Sequence, residues 1–345
     1  MMQTKRMLPG EWAPQNGVIL AWPHSGTDWA QMLDEVRECF VNIIEAVTTY
    51  EKAVVLVNDE NNFPIDQFTY PEKIKTVNCP TNDTWARDFG PIFVKEATRW
   101  IGLDYKFDGW GLKFAANEDN LITSRLFEKH IFGSSATREN HLHFVLEGGS
   151  IESDGQGTIL TTTECLTSAN RNGALSKKHI EEKFKNSLGA ERVLWIDHGF
   201  LTGDDTDSHV DTLARFCNPD TIAYVKCEDT EDEHYSALKK MEQQLHEFRT
   251  GNGKSYNLVP LPMADAVYED GHRLPATYAN FLIINEAVLL PFYKSPKDQE
   301  AKAILENVFR DRKVIGIDCL ALIKQHGSLH CVTMQLPEGT LGEKS

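Results

Sequence analysis

Two patterns of apolar residues alternate along this chain, and the alternation repeats. Gly17-Val-Ile-Leu-Ala-Trp22 is a short continuous apolar run, the signature of a buried strand. Trp29, Met32, Leu33, Val36, Phe40, Ile43, Ile44 and Val47 then recur at helical spacing, with Thr27 as the expected N-cap. Ala53-Val-Val-Leu-Val57 is β-branched and predicts another strand. The same order returns. Pro91–Val94 and Trp100–Leu103 predict a strand pair, a helix covers 119–132, and His143–Leu146 is the next strand. Ser150-Ile151 and Thr158–Thr161 are joined by Asp154-Gly-Gln-Gly157, whose Asp-Gly is a hairpin signal, and a helix over 176–188 and the strand Val193–Ile196 follow. A fourth unit has Thr212–Phe216, Thr221–Val225, a helix over 232–249 and Tyr256–Val259. A fifth has Asn280–Ile284, Ala287–Leu290, a helix opened by Ser295-Pro296, and Val314–Ile317. Cys331–Leu336 is one strand left over.

This order predicts an α/β fold of five ββαβ units within one domain spanning 1–345, with the first unit split between the two chain ends. The leftover strand pairs with the N-terminal unit and closes a five-bladed pseudosymmetric ring, which leaves few exposed sheet edges. An open α/β sheet with several hairpins is the plainer alternative. In the ring, residues just before the first strand of each unit meet near the axis. Asp88, Glu147, His209 with Asp211, Asn280, and His330-Cys331 hold those positions, 51 to 71 residues apart.

Composition narrows the chemistry. Lys and Arg number 35 against 51 Asp and Glu, a formal net charge of −16, which disfavours nucleic acid and favours a small cationic partner. No apolar run approaches the roughly 18 residues of a membrane helix, and no apolar core follows the two basic residues of the opening stretch, so neither a membrane span nor a secretory signal is expected. The seven cysteines are odd in number, widely spaced and free of C-x-x-C pairs, which predicts reduced thiols in a cytoplasmic protein and no zinc ribbon. A convergent thiol and histidine would suit a cysteine peptidase, but neighbouring carboxylates would oppose an oxyanion. Carboxylates suit a planar guanidinium instead, and that cation would favour the Cys331 thiolate.

Five stretches carry a resemblance. They are Thr84-Trp-Ala-Arg-Asp-Phe-Gly-Pro91, Leu146-Glu-Gly-Gly-Ser-Ile151, Thr161-Thr-Thr-Glu-Cys-Leu166 with Asn170-Arg-Asn172, Asp204-Asp-Thr-Asp-Ser-His-Val-Asp211, and Gly327-Ser-Leu-His-Cys-Val-Thr333. Together and in this order they resemble the agmatine deiminase and bacterial (Porphyromonas-type) peptidylarginine deiminase family of the guanidine-modifying (pentein) superfamily. The resemblance implies the same five-bladed fold and a hydrolytic deimination without metal or cofactor, of agmatine to N-carbamoylputrescine and ammonia. It makes Cys331 the nucleophile, His209 the general acid/base, Asp88 and Asp211 the guanidinium holders, and Glu147 an orienting carboxylate that pairs with the guanidinium or with His209. It also suggests Asp205 as a reader of the substrate amine, and a homodimer. Where the family usually has a glycine-rich run ending in Asn-Ile-His-Cys, this chain has Gln325-His-Gly-Ser-Leu-His-Cys331. Peptidyl-arginine or another small guanidine is the alternative substrate, amidino transfer the alternative reaction, and a non-catalytic guanidine binder the alternative class.

The remaining residues divide into wall, packing and loop. Trp85 and Trp110 are expected to wall the substrate's aliphatic chain. His330 is expected to pack in its strand, His326 to lie in a loop, and Asp204 and Asp207 to face solvent. The two glycines after Glu147 suggest a backbone with positive φ. Met263–Arg273, polar and glycine-containing, is a candidate lid.

Overall fold

The computed structural model describes residues 5–59, 63–173 and 175–342. The fold is α/β. Five sheets share one pattern, an antiparallel pair followed by a parallel neighbour. In the first, Met334–Pro337 runs antiparallel to Gln15–Ala21, which pairs in parallel with Lys52–Val57 and so extends to Ile74–Asn78. In the second, Ile92–Glu96 and Arg99–Lys106 form the antiparallel pair and Ala136–Val145 the parallel neighbour, while Arg6–Met7 edges the sheet. Ile151–Ser153, Thr158–Thr162 and Arg192–Ile196 repeat the pattern. So do Ala214–Asn218, Thr221–Lys226 and Asn257–Pro262, and then Leu282–Ile284, Ala287–Phe292 and Lys313–Asp318. In each of the five repeats a helix joins the antiparallel pair to its parallel neighbour: Leu33–Tyr50, Ile122–Glu128, Lys177–Ser187, Tyr235–Glu247 and Lys297–Val308. The pairing of the leftover C-terminal strand with the N-terminal unit is as expected.

Burial explains why the apolar runs were continuous rather than alternating. Val18, Ile19, Leu20 and Ala21 are all fully buried because both faces of their strand are covered. The helix Leu33–Tyr50 buries Val36, Phe40, Ile43, Ile44 and Val47 along one stripe, each side chain contributing about 1.5–3 kcal/mol.

The structure corrects several boundaries. Thr27 caps a short 3-10 turn, Asp28–Gln31, and not the helix, which begins at Leu33 without a side-chain cap. The helix expected over 119–132 splits into the 3-10 turn Asp119–Leu121 and Ile122–Glu128. Pro296 stands at the N-cap rather than the first helical position, and the Ser295 hydroxyl accepts the Lys297 N–H there. Cys331 lies three residues ahead of its strand, outside the ladder that would have fixed its direction.

No helix among the described residues is long and apolar enough to cross a membrane.

Leu336, fully buried in the strand that joins the two chain ends, tests this packing. Leu336→Ala should cost about 2–5 kcal/mol in urea denaturation. Leu112→Ala, at a side chain 73% exposed, should stay within about 0.5 kcal/mol.

Candidate functional site

The five segments that precede the first strands come together. Asp88 lies in the single helical turn Ala86–Phe89, Glu147 ahead of the 3-10 turn Gly148–Ser150, and His209 and Asp211 around the 3-10 turn Val210–Thr212. Hydrogen bonds and one close contact link them. The Arg87 N–H donates to the Cys331 carbonyl at 3.1 Å and the Gly149 N–H to Asp88 Oδ1 at 3.0 Å. His209 Nδ1 stands 3.7 Å from Asp88 Oδ1. Asn280 Nδ2 donates to the Asp211 carbonyl at 3.3 Å, and Asn280 Oδ1 accepts the His330 N–H at 2.9 Å.

Cys331 Sγ sits 3.4 Å from Asn280 Nδ2 and 3.8 Å from Asp211 Oδ2. Asn280, singled out only by repeat position, therefore touches the thiol directly. Burial pushes the Cys331 thiol well up, and the charges of Asp211 and Asp88 push it further. Burial likewise raises the Asp88 carboxyl, helped by Asp211 and Glu147, although Asp88 accepts from Trp110 Nε1 at 2.9 Å and from Gly149. Burial also raises Glu147, against the pull of Arg171. Asp211 departs in the other direction. Burial works against its ionisation, but the hydrogen bond from His330 and the favourable charges around it, Arg215 among them, together outweigh that and hold the carboxyl below the ordinary range. His209 is driven down to about 3 by burial, and neither of its ring nitrogens makes a hydrogen bond. A neutral, unengaged imidazole beside an uncompensated carboxyl and a protonated thiol is an arrangement short of one cation.

A cleft opens onto this cluster, with Cys331 and Asp88 in its lining. Trp85, Trp110 and Phe114 wall it, and Asp28, Asp83 and Asp205 stand along it with His326, so all three expected substrate contacts line it. Burial raises the Asp83 carboxyl to about 7.

The local chain explains how His209 is presented. Asp207 and Ser208 both take positive φ, +62° and +64°, a strained path for two non-glycine residues. Asp204, expected in solvent, is half-buried instead, accepting from Thr206 Oγ1 at 2.6 Å and the Ser208 N–H at 2.7 Å. Asp207 pairs with Arg171 at 2.6 Å and Lys113 at 2.7 Å, so it too is a brace rather than a solvated charge. Arg171 reaches onward to Glu147 Oε1 at 2.7 Å. Glu147 thus pairs with Arg171, and its Oε2 remains without a partner. Arg171 had only the Asn170-Arg-Asn172 motif to mark it, with no spacing to suggest a role.

Two further expectations change. Gly148 and Gly149 do not take positive φ; they are glycines because neighbours leave no room for a side chain. A Cβ at Gly148 would lie 2.2 Å from the Arg87 carbonyl, and one at Gly149 would lie 2.7 Å from His209 Nδ1 and 2.9 Å from Asp88 Oδ1. His330 does not pack in a strand; its buried ring bridges Asp211 and Glu11. The candidate lid is an ordered hairpin, Val267–Glu269 with His272–Leu274. Glu269 lies 3.6 Å from Lys324, next to the Gln325-His326 edge of the cleft.

A family model described as Porphyromonas-type peptidyl-arginine deiminase matches residues 7–337. A Porphyromonas gingivalis structure, provisionally named an arginine deiminase, is 52% identical with a TM-score of 0.94, covering 98% of this chain and all of that one. Substrate-bound C. jejuni agmatine deiminase is 36% identical with a TM-score of 0.92, covering 98% of each chain. A Legionella pneumophila protein, provisionally named an agmatine deiminase, is 32% identical over 335 residues, 96% of this chain and 94% of its own.

Gly149→Ala should lower kcat/KM by about 100-fold or more, because its methyl displaces His209 and Asp88 from working positions. Steady-state kinetics and circular dichroism together check this. A folded variant with near-normal kcat/KM would show that this close packing does not position the site.

Proposed function

Because the chain belongs to the Porphyromonas-type peptidyl-arginine deiminase family, we propose that it hydrolyses a C–N bond of a guanidinium, with agmatine as the substrate. The observation that favours agmatine is the lining of the cleft. Beyond Asp88 it carries Asp28, Asp83 and Asp205, and no Lys or Arg among the described lining residues. A cationic amine at the far end of the substrate is attracted there, whereas the α-carboxylate of free arginine meets carboxylates.

In this reading the guanidinium lies between Asp88 and Asp211, with its carbon against Cys331 Sγ. Its charge compensates Asp88 and lowers the Cys331 pKa, so thiolate forms once substrate is in place. The thiolate attacks the guanidinium carbon. His209 takes the thiol proton and passes it to the departing nitrogen, which leaves as ammonia. The remaining cation is an amidino-thioether on Cys331. Water, deprotonated by His209, attacks that carbon; the C–S bond breaks, the thiol is restored, and the ureido product leaves with release of one proton. His209, unengaged by any hydrogen bond in the ligand-free site, is suited to carry a proton in each half-reaction.

The architecture belongs to the same proposal. We infer that the five sheets stand as blades of one ring in a single domain spanning the chain. The repeated strand order, the pairing of the two chain ends and the contacts among the pre-strand segments support it.

Purified protein offered agmatine, arginine and an arginine peptide, with ammonia and ureido product measured, tests the substrate. Agmatine should turn over, and Cys331→Ser should abolish it. Asp205→Asn should raise the agmatine KM about tenfold, roughly 1.4 kcal/mol, with little change in kcat. Preferential turnover of the peptide or of free arginine would overturn the agmatine assignment.

A further inference from the structure

His330 precedes Cys331 directly, and its ring lies between two carboxylates. Nδ1 is 2.8 Å from Asp211 Oδ2, and Nε2 is 2.7 Å from Glu11 Oε2. All three side chains are nearly or fully buried. A neutral imidazole has one donor and one acceptor nitrogen, and an ionised carboxylate only accepts. Two carboxylates at these distances are both satisfied only by an imidazolium, unless one carboxyl keeps its proton. The surroundings argue that Glu11 does not. Its Oε2 also accepts from Arg215 at 3.0 Å and its Oε1 from the Ile283 N–H at 2.7 Å, while Arg87 stands 3.6 Å away. Burial opposes ionisation of Glu11, yet Arg215 and His330 overcome it and hold the carboxyl far below its ordinary range.

We propose that His330 is a positioning residue, an imidazolium that keeps Asp211 ionised and fixes its Oδ2, leaving Oδ1 to receive the guanidinium. Asp211 Oδ1 is buried without a hydrogen bond, as an oxygen reserved for a ligand would be. The same residue anchors the nucleophile, since its backbone N–H donates to Asn280, whose amide touches Cys331 Sγ. Glu11 supplies the other end of the clamp, so a residue near the N-terminus sets the charge state of a site built around residue 331. The proposal rests on the deiminase reading for the identity of the cation, and on geometry alone for the clamp.

The groups that face Asp211 decide the pH effect. His330, Arg215 and Arg87 favour its charge; Asp88 and Cys331 oppose it only when ionised; His209 is neutral. Without His330 the Asp211 carboxyl binds its proton at higher pH, so guanidinium binding is lost at higher pH as the solution is acidified.

Two measurements test this. In ¹⁵N-histidine spectra of the wild-type protein, His330 should show both ring nitrogens protonated at pH 7. Its signal is assigned by its loss in His330→Gln or, should that variant not fold, by its displacement in Glu11→Gln. A single-tautomer neutral ring at pH 7 would overturn the proposal whatever the substrate proves to be. In His330→Gln, the rate of Cys331 labelling by a haloacetamidine should fall about 100-fold at pH 7, and its acidic limb should move up by about one pH unit or more. A loss of packing alone would lower the melting temperature without moving that limb. A folded variant with the wild-type rate and limb would overturn the proposal.

Discussion

A carboxylate buried away from water needs a cation, and at Asp88 the protein provides none of its own. The other acids of the central cluster are matched. Glu147 has Arg171, Asp211 has His330, and Glu11 and Glu152 share Arg215, with Arg87 close by. Asp88 has two neutral N–H donors and an imidazole 3.7 Å away that burial keeps uncharged. The thiol of Cys331 shares the deficit, because the same burial and the same neighbours hold its proton on. Under the proposed function, one guanidinium repairs both defects at once. On that reading, recognition and activation are a single electrostatic event, and the Cys331 thiol stays quiet until the right charge arrives.

The scaffold serves that arrangement by keeping the reactive residues off the regular strands. Each stands in a turn before a strand that starts a sheet, where the backbone is free to aim a side chain inward and the following ladder anchors it. The cost is local. Asp207 and Ser208 run through left-handed backbone, and Gly148 and Gly149 give up side chains so that Arg87, His209 and Asp88 can approach. Arg171 offsets part of the first cost by bracing Asp207 and accepting the Glu147 charge in one reach.

Much of this was legible in the sequence. Each parallel strand buried on both faces left an unbroken apolar run, and the repeat of those runs located the pre-strand positions of Asp88, Glu147, His209, Asn280 and Cys331. The structure brings all five together. What stayed hidden were partners chosen by distance in space. Glu11 lies 319 residues from His330, and Arg171 braces a loop beginning more than thirty residues later, so no periodicity marks either. The role of His330 is hidden for a related reason: beside a strand, a buried histidine looks like packing until the carboxylates on both of its nitrogens are visible. The glycines after Glu147 are ambiguous in sequence, since one sequence does not separate a need for positive φ from a lack of room.

The central claim is that the site lacks one positive charge and holds a proton on Asp88 in its place. Calorimetry of agmatine binding to Cys331→Ser, in buffers of different ionisation enthalpy, measures this directly. With the thiol removed, binding near neutral pH should release about one proton, and Asp88→Asn should abolish that release. Tight binding with no proton released across pH 5–8 would mean that Asp88 is already ionised in the empty site, and would contradict the account.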